Sequence, residues 1–244
     1  MNINHHLDEA TLFSYVAGSL SQGMALVVAS HISVCESCRA RVFETEAIGG
    51  ALLDSIVNDD IAEEINETAL EQALASLDTD PDDGLHEKAN KPLSGSSNTT
   101  ALPDTIVLPG TIALPDTAGE VPVPLRDYIG DSLDELQWKR FSPGFYYFDV
   151  FSERRGICRL LKVAPGKSIL PHGHHGNELT LLLRGSYADE VGRFSQGDVA
   201  DLDDQIEHQP LVDGNEDCIC LVATDSPLRF TTLLGKVIQP MTRF

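Results

Sequence analysis

Gly166-Lys-Ser-Ile-Leu-Pro-His172-Gly-His174-His-Gly-Asn-Glu178-Leu-Thr-Leu-Leu-Leu-Arg-Gly185 decides how the second half of this chain folds. Glycines close both ends of the stretch, where tight strand connections want them. His172 and His174 lie two apart, so on a strand their side chains point the same way. Glu178 follows after a short loop and opens an apolar run. Further on, Gly197-x5-Asp203-x-Gln205-x2-His208 brings a third imidazole from a later strand. Three imidazoles and a carboxylate make a mixed nitrogen and oxygen donor set, suited to zinc, iron, manganese or nickel. His175 alternates to the opposite side and falls outside the set.

Around this stretch lie other short β-type runs: Gly156 to Val163, Leu179 to Leu183, Cys218 to Thr224 and Arg229 to Leu234. Gly, Pro and Asp punctuate them, and many short strands so spaced predict a sandwich or barrel from about Val121 onward. Cys218 and Cys220 share one face of a strand and read as small buried residues rather than ligands. Asp189, Glu190, Asp201 and Asp203 read as solvated loop charges.

Upstream of about residue 120 the composition changes. Asp80-Pro-Asp-Asp-Gly84 and Lys91-Pro-Leu-Ser-Gly-Ser-Ser-Asn-Thr-Thr100 read as linker. A six-residue repeat follows, as Leu102-Pro-Asp-Thr, Leu108-Pro-Gly-Thr and Leu114-Pro-Asp-Thr. Three copies with a proline in each cannot bury a core, so an extended spacer is expected. Residues 1 to 80 have helical rhythm instead. Leu7 to Ala17 is a first helix ended by Gly18, and Ser21 caps a second running toward Cys35. A third runs from Arg39 to about Val57, weakened at Gly49-Gly50. In a fourth, Ile61, Ile65, Ala69, Ala73 and Leu77 recur at four-residue steps with an acidic opposite face.

The second helix carries His31-x3-Cys35-x2-Cys38. On one helix these residues converge on one face. An imidazole and two thiolates suit a tetrahedral zinc ion, which needs a fourth ligand. His5 or His6, just before the first helix, is placed to close the site. In so small a helical unit the metal largely replaces a core.

Charge narrows the function. Of 244 residues, 38 are acidic and 17 basic, a formal charge of −21. Such a chain repels nucleic acid and is steered toward a basic protein partner. Between Asp8 and Asp80 fourteen acidic residues face only Arg39 and Arg41. Five cysteines, unevenly placed, form no disulfide framework and suit a reducing compartment. The longest apolar run, Met24 to Ala29, is too short for a bilayer, and Met-Asn-Ile-Asn-His-His does not begin a secretory signal. A cytoplasmic protein without membrane contact is expected.

The two motifs also carry a family resemblance. His31-x3-Cys35-x2-Cys38 resembles the zinc-binding anti-sigma fold, in which an upstream histidine supplies the fourth ligand. Gly166 to Gly185 matches the first cupin motif at every spaced position. The second cupin motif keeps Gly197 and His208, but Asp203 and Gln205 stand where proline and glycine are usual. In this order the pair resembles the ChrR type of cupin anti-sigma factor. Further likeness lies in Ala17-Gly18-Ser19-Leu20, Pro124-Leu-Arg-Asp-Tyr128 and Asp217-Cys-Ile-Cys-Leu through Phe230.

The resemblance implies a multidomain α plus β chain. A small all-α zinc-binding domain occupies 1–80, a Pro/Ser/Thr-rich linker 81–120, and an antiparallel jelly-roll barrel, the cupin, 121–244. It implies zinc on His6, His31, Cys35 and Cys38, with His5 in reserve for His6. Zinc or another divalent metal goes to His172, His174, Glu178 and His208. It implies a regulator rather than an enzyme, binding an extracytoplasmic-function sigma factor one to one and releasing it under singlet oxygen or organic peroxide stress. The competing expectation is a dioxygenase-like cupin metalloenzyme with a helical zinc appendage, which has no evident need for the histidine–cysteine unit.

Overall fold

The computed structural model describes residues 2–58, 68, 71, 74, 119–152, 156–226 and 228–230. The Ile61 to Leu77 stripe falls largely, and the Leu-Pro-Asp-Thr repeat wholly, outside the described residues, as does the boundary expected at residue 80. The chain divides into two compact units, Met1–Gly49 with Ala113–Phe244, and Gly50–Ile112. The first helices and the strands thus belong to one unit.

Four helices are described. In α1 (Glu9–Val16), Asp8 is the N-cap and its Oδ1 accepts the Thr11 amide at 2.6 Å. Such a cap satisfies an amide that the first helical turn leaves without a partner. In α2 (Gln22–Val34), Ser21 caps in the same way, with Met24 N donating to its Oγ at 3.4 Å. α3 spans Glu36–Asn58 and α4 spans Val123–Ile129, with a proline in its first turn. The second and third helices differ from expectation at their junction. Cys35 adopts φ −106° and ψ 107°, which ends α2, and α3 begins at Glu36 rather than Arg39.

Among the described residues twelve strands follow, all pairs antiparallel. β1 (Lys139–Ser142), β2 (Phe145–Ser152), β3 (Ile157–Val163), β5 (Glu178–Arg184), β8 (Val199–Leu202) and β11 (Cys218–Thr224) form one six-stranded sheet in the order β1-β2-β3-β11-β5-β8. A second sheet orders β10 (Leu211–Val212), β6 (Ser186–Ala188) and β7 (Arg193–Ser195) as β10-β6-β7. A third orders β12 (Leu228–Phe230), β4 (His172–His174) and β9 (Glu207–His208) as β12-β4-β9. This is the antiparallel cupin-like architecture expected after a helical start.

The sequence of β5 and β11 dictates what covers the large sheet. Every residue of Cys218–Thr224 is buried, and so is Glu178–Leu183. Strands apolar on both faces need cover on both sides. On the inner face Leu182, Cys218, Cys220 and Val222 pack with Tyr187, Phe194 and Val212. On the outer face Leu179, Leu181, Leu183, Ile219, Leu221 and Ala223 share a core with Met24, Leu26, Val27 and Val28 of α2 and Leu125 of α4. The period of two thus sends alternate residues of one strand into two different cores. α2 lies directly on β11 and β5. Each such leucine or valine contributes about 1.5–3 kcal/mol by leaving water.

Leu221, fully buried between α2 and the sheet, tests this packing. Leu221→Ala is expected to lower unfolding free energy by about 2–5 kcal/mol in urea titrations. A loss below about 1 kcal/mol would mean that the helices do not cover this face.

Candidate metal centres

The helical centre assembles at the bend between α2 and α3. His31 lies in the last turn of α2, Cys35 is its C-cap, and Cys38 is in the first turn of α3. The three converge because the chain turns at Cys35, which corrects the expectation that they share one continuous helix. Arg39 holds the bend by donating from Nη1 to the Ile32 carbonyl at 2.8 Å, a cation on the carbonyl end of α2. The fourth donor comes from the arm before α1. His6 Nδ1 lies 3.3 Å from Cys35 Sγ and 3.6 Å from Cys38 Sγ. His5 goes elsewhere: its ring lies tilted against Phe194, with centroids 4.2 Å apart, and its Nε2 donates to the Arg193 carbonyl at 3.1 Å.

All four donor atoms of His6, His31, Cys35 and Cys38 lie within 4.8 Å of one another. The chemistry of the donors fits a metal ion. His31 Nδ1–H donates to the Gly197 carbonyl at 3.1 Å, which leaves the Nε2 lone pair facing the sulfurs. That buried Nε2 has no hydrogen-bond partner among the described residues. Burial lowers the His31 pKa to about 4, so the ring is held in the neutral, metal-binding form. Burial also pushes the Cys38 thiol up to about 11, a penalty on the thiolate that a bound cation reverses.

The strand centre is built as expected from alternation. His172 and His174 sit at the ends of β4, and β4 pairs with β9 so that His172 is opposite His208. Glu178 opens β5 on its inner face, and Thr180 two residues on donates to Glu178 Oε1 at 3.1 Å. Donor atoms of His172, His174, Glu178 and His208 again lie within 4.8 Å of one another, and all four residues are buried. His175 is exposed, outside the group.

The hydrogen bonds fix which nitrogens face inward. His172 Nδ1–H donates to the Leu170 carbonyl at 2.8 Å, and His208 Nδ1–H donates to Asp189 Oδ2 at 2.8 Å. The two Nε2 atoms then meet at 3.1 Å with a lone pair each. Two lone pairs repel at that distance unless a cation accepts both. Neither nitrogen of His174 has a hydrogen-bond partner among the described residues, though Nδ1 lies 3.5 Å from Glu178 Oε2. Burial lowers the His172 pKa to about 4 and also lowers that of His174, keeping both rings neutral. The turn before β9, where Asp203 and Gln205 replace the usual proline and glycine, closes by side-chain mimicry: Gln205 N donates to Asp203 Oδ1 at 2.9 Å.

Asp189 corrects the sequence reading. Expected as a solvated loop charge, it has a side chain 0% exposed and is paired with His208. Burial raises its pKa, but the bond to His208 and the amides of Gly192 and Val191 outweigh this and leave it lowered. A carboxylate on the far nitrogen of a metal-binding histidine fixes the ring and raises its basicity. No spacing rule marks Asp189, because its partner lies 19 residues away on another strand.

With this geometry in place, known proteins can be compared. A family profile described as the ChrR Cupin-like domain matches residues 129–227. The anti-sigma-E factor ChrR of Cereibacter sphaeroides is 35% identical over 243 residues, covering 100% of both chains. This chain belongs to the ChrR family of anti-sigma factors. The family is one of regulators rather than enzymes. The crystal structure of Rhodobacter sphaeroides SigE in complex with the anti-sigma ChrR is similar over 92% of this chain and 100% of that one. Its sequence identity is 33% and its TM-score 0.66. The ChrR family therefore accounts for the order of the two halves, helices first and strands second.

Asp189→Asn is expected to weaken metal binding at the strand centre by about 10- to 100-fold in chelator competition. Unchanged affinity would remove Asp189 from the centre.

Proposed function

We propose that this chain is a cytoplasmic anti-sigma factor that binds one extracytoplasmic-function sigma factor and keeps it from core RNA polymerase. The observation that carries the reading is 35% identity over the full length to an anti-sigma factor, joined to two four-donor clusters, buried but for His6, in the expected halves. His6, His31, Cys35 and Cys38 hold a structural zinc. Closed tetrahedral nitrogen and sulfur sites of this kind are typical of structural zinc, which here fixes the bend between α2 and α3. His172, His174, Glu178 and His208 hold zinc or another divalent metal. Three nitrogens and a carboxylate would hold the ion there, a mixed donor set suited to several divalent metals.

The surface of α3 supports a protein partner. Phe43, Ile48, Leu52, Leu53 and Ile56 are between 46% and 61% exposed. Large apolar side chains grouped on one helix mark an interaction surface. Glu44, Glu46 and Asp54 are interspersed with them, a charge pattern that fits the basic polymerase- and promoter-binding regions expected of a sigma factor. No described helix is long and apolar enough to cross a membrane.

Leu52→Asp with Leu53→Asp is expected to weaken the sigma complex at least about thirtyfold, on the scale of an interface hot spot. Size-exclusion chromatography and titration of the full-length protein measure it. Unaltered affinity would move the sigma site off α3.

Sensing is assigned to the strand centre. Under singlet oxygen or organic peroxide stress, an oxidant or ligand reaching the cupin site would change how this domain packs, and the grip on the sigma factor would loosen. His172→Ala with Glu178→Ala is expected to leave sigma binding intact and to blunt induction of a sigma-dependent reporter by singlet oxygen. Induction equal to wild type would overturn this assignment.

A further inference from the structure

The arm Asn4–Asp8 does more than deliver His6. It runs along β8, the outermost strand of the six-stranded sheet. Val199 N donates to the His5 carbonyl at 3.4 Å, and Asp8 N donates to Asp201 Oδ2 at 3.1 Å. Asp198 anchors the same arm: its Oδ1 accepts the amides of Asn4 at 2.7 Å and His5 at 3.0 Å. Its other oxygen accepts Ser195 N at 2.9 Å and Ser195 Oγ at 3.0 Å. Asp198 is buried, and these bonds outweigh the burial to hold its pKa below the usual carboxylate range.

The His5 side chain then meets the hairpin of β6 and β7. Its ring covers Phe194, its Nε2 holds the Arg193 carbonyl, and a Cβ at Gly192 would stand 3.2 Å from its Cε1. The other side of this hairpin turn is Asp189. Asp189 Oδ1 accepts the amides of Val191 at 2.9 Å and Gly192 at 3.0 Å, while Oδ2 accepts a hydrogen bond from His208 Nδ1–H. Four residues, Asp189 to Gly192, therefore have the strand centre on one side and the seat of His5 on the other. His6, next in the chain, faces Cys35 and Cys38. The helical centre leans on the same region a second time through the Gly197 carbonyl on His31.

We propose that the β6–β7 turn and the arm Asn4–Asp8 form a relay between the two centres. Through it, occupancy of the strand centre sets how firmly the helical centre holds its ion. This deepens the sensing assignment above and rests on both clusters binding metal. A cation on His208 Nε2 polarises the Nδ1–H and tightens its bond to Asp189. The turn is then fixed, His5 keeps its seat, and His6 stays aligned with the sulfurs. Loss of the ion from the strand centre slackens the chain of contacts in the same order. By linkage the coupling acts in both directions. Asp189 and His5 are positioning residues here, since neither is among the donors of a centre.

Full-length protein loaded with cobalt tests the relay. Among the described residues only the helical centre offers thiolates in a donor cluster, so the thiolate-to-cobalt charge-transfer band reports that centre alone. Its decay after addition of a chelator is compared with the strand centre filled and with it emptied by His172→Ala or, independently, Glu178→Gln. Emptying is expected to speed the decay about tenfold, within the usual range of coupling between sites. Adding His5→Ala, or Gly192→Leu as a second way to unseat the arm, is expected to shrink this difference to less than about twofold. Equal decay with the strand centre filled or empty overturns the relay. So does a tenfold difference that survives both arm variants. Absence of the band from the wild type would instead remove the helical metal centre, and the relay with it.

Discussion

β5 and β11 bury side chains on both faces, and water tolerates neither face bare. One side is filled by the second sheet, through Tyr187, Phe194 and Val212. For the other the chain uses α2 and α4, so that Val27 and Val28 reach the same core as Leu181 and Leu221. The rest of the unit follows from that placement. With α2 laid on the sheet, its last turn comes to the loop between β7 and β8, where the Gly197 carbonyl orients His31. Gly197 has φ +92°, a left-handed conformation natural to glycine, and it presents its carbonyl from there. Hydrophobic cover thus fixes the position of His31, a side chain that is itself polar.

Both centres share one chemical device. In each, a histidine is held by its Nδ1–H to an oxygen of the strand-rich half, and its Nε2 lone pair is aimed into the group of donors. The oxygens differ in strength. Gly197 and Leu170 offer neutral carbonyls, whereas Asp189 offers a carboxylate, which makes His208 the most strongly polarised ring of the set. Of these three rings, His208 is the one whose partner, Asp189, sits in the β6–β7 turn.

Much of this was legible in the residues. Alternation placed His172 and His174 together, and spacing brought Glu178 and His208 to them. His31, Cys35 and Cys38 declared themselves by residue type. The structure puts His6, not His5, beside the sulfurs, as positional likeness to the family implied. The helical continuity through Cys35 was misread because periodicity cannot show a single residue leaving helical φ and ψ. Asp189 was missed for a different reason. A carboxylate in a loop looks the same in sequence whether it faces water or a histidine, and only the fold brings His208 to it. The docking of α2 was likewise hidden: a strand buried on both faces announces that cover exists, without saying which segment supplies it.

The order of strands has a consequence for how the molecule comes into being. β11 stands between β3 and β5 in the large sheet, yet it is Cys218–Thr224, near the end of the chain. While the ribosome has delivered only the earlier segments, β3 and β5 have no shared neighbour and α2 has no floor to lie on. His31 waits for Gly197, and His172 waits for His208. Contacts this distant in sequence form slowly, so both donor clusters come together only once β11 has been made. A nascent helical hairpin thus exists before the strands that steady it.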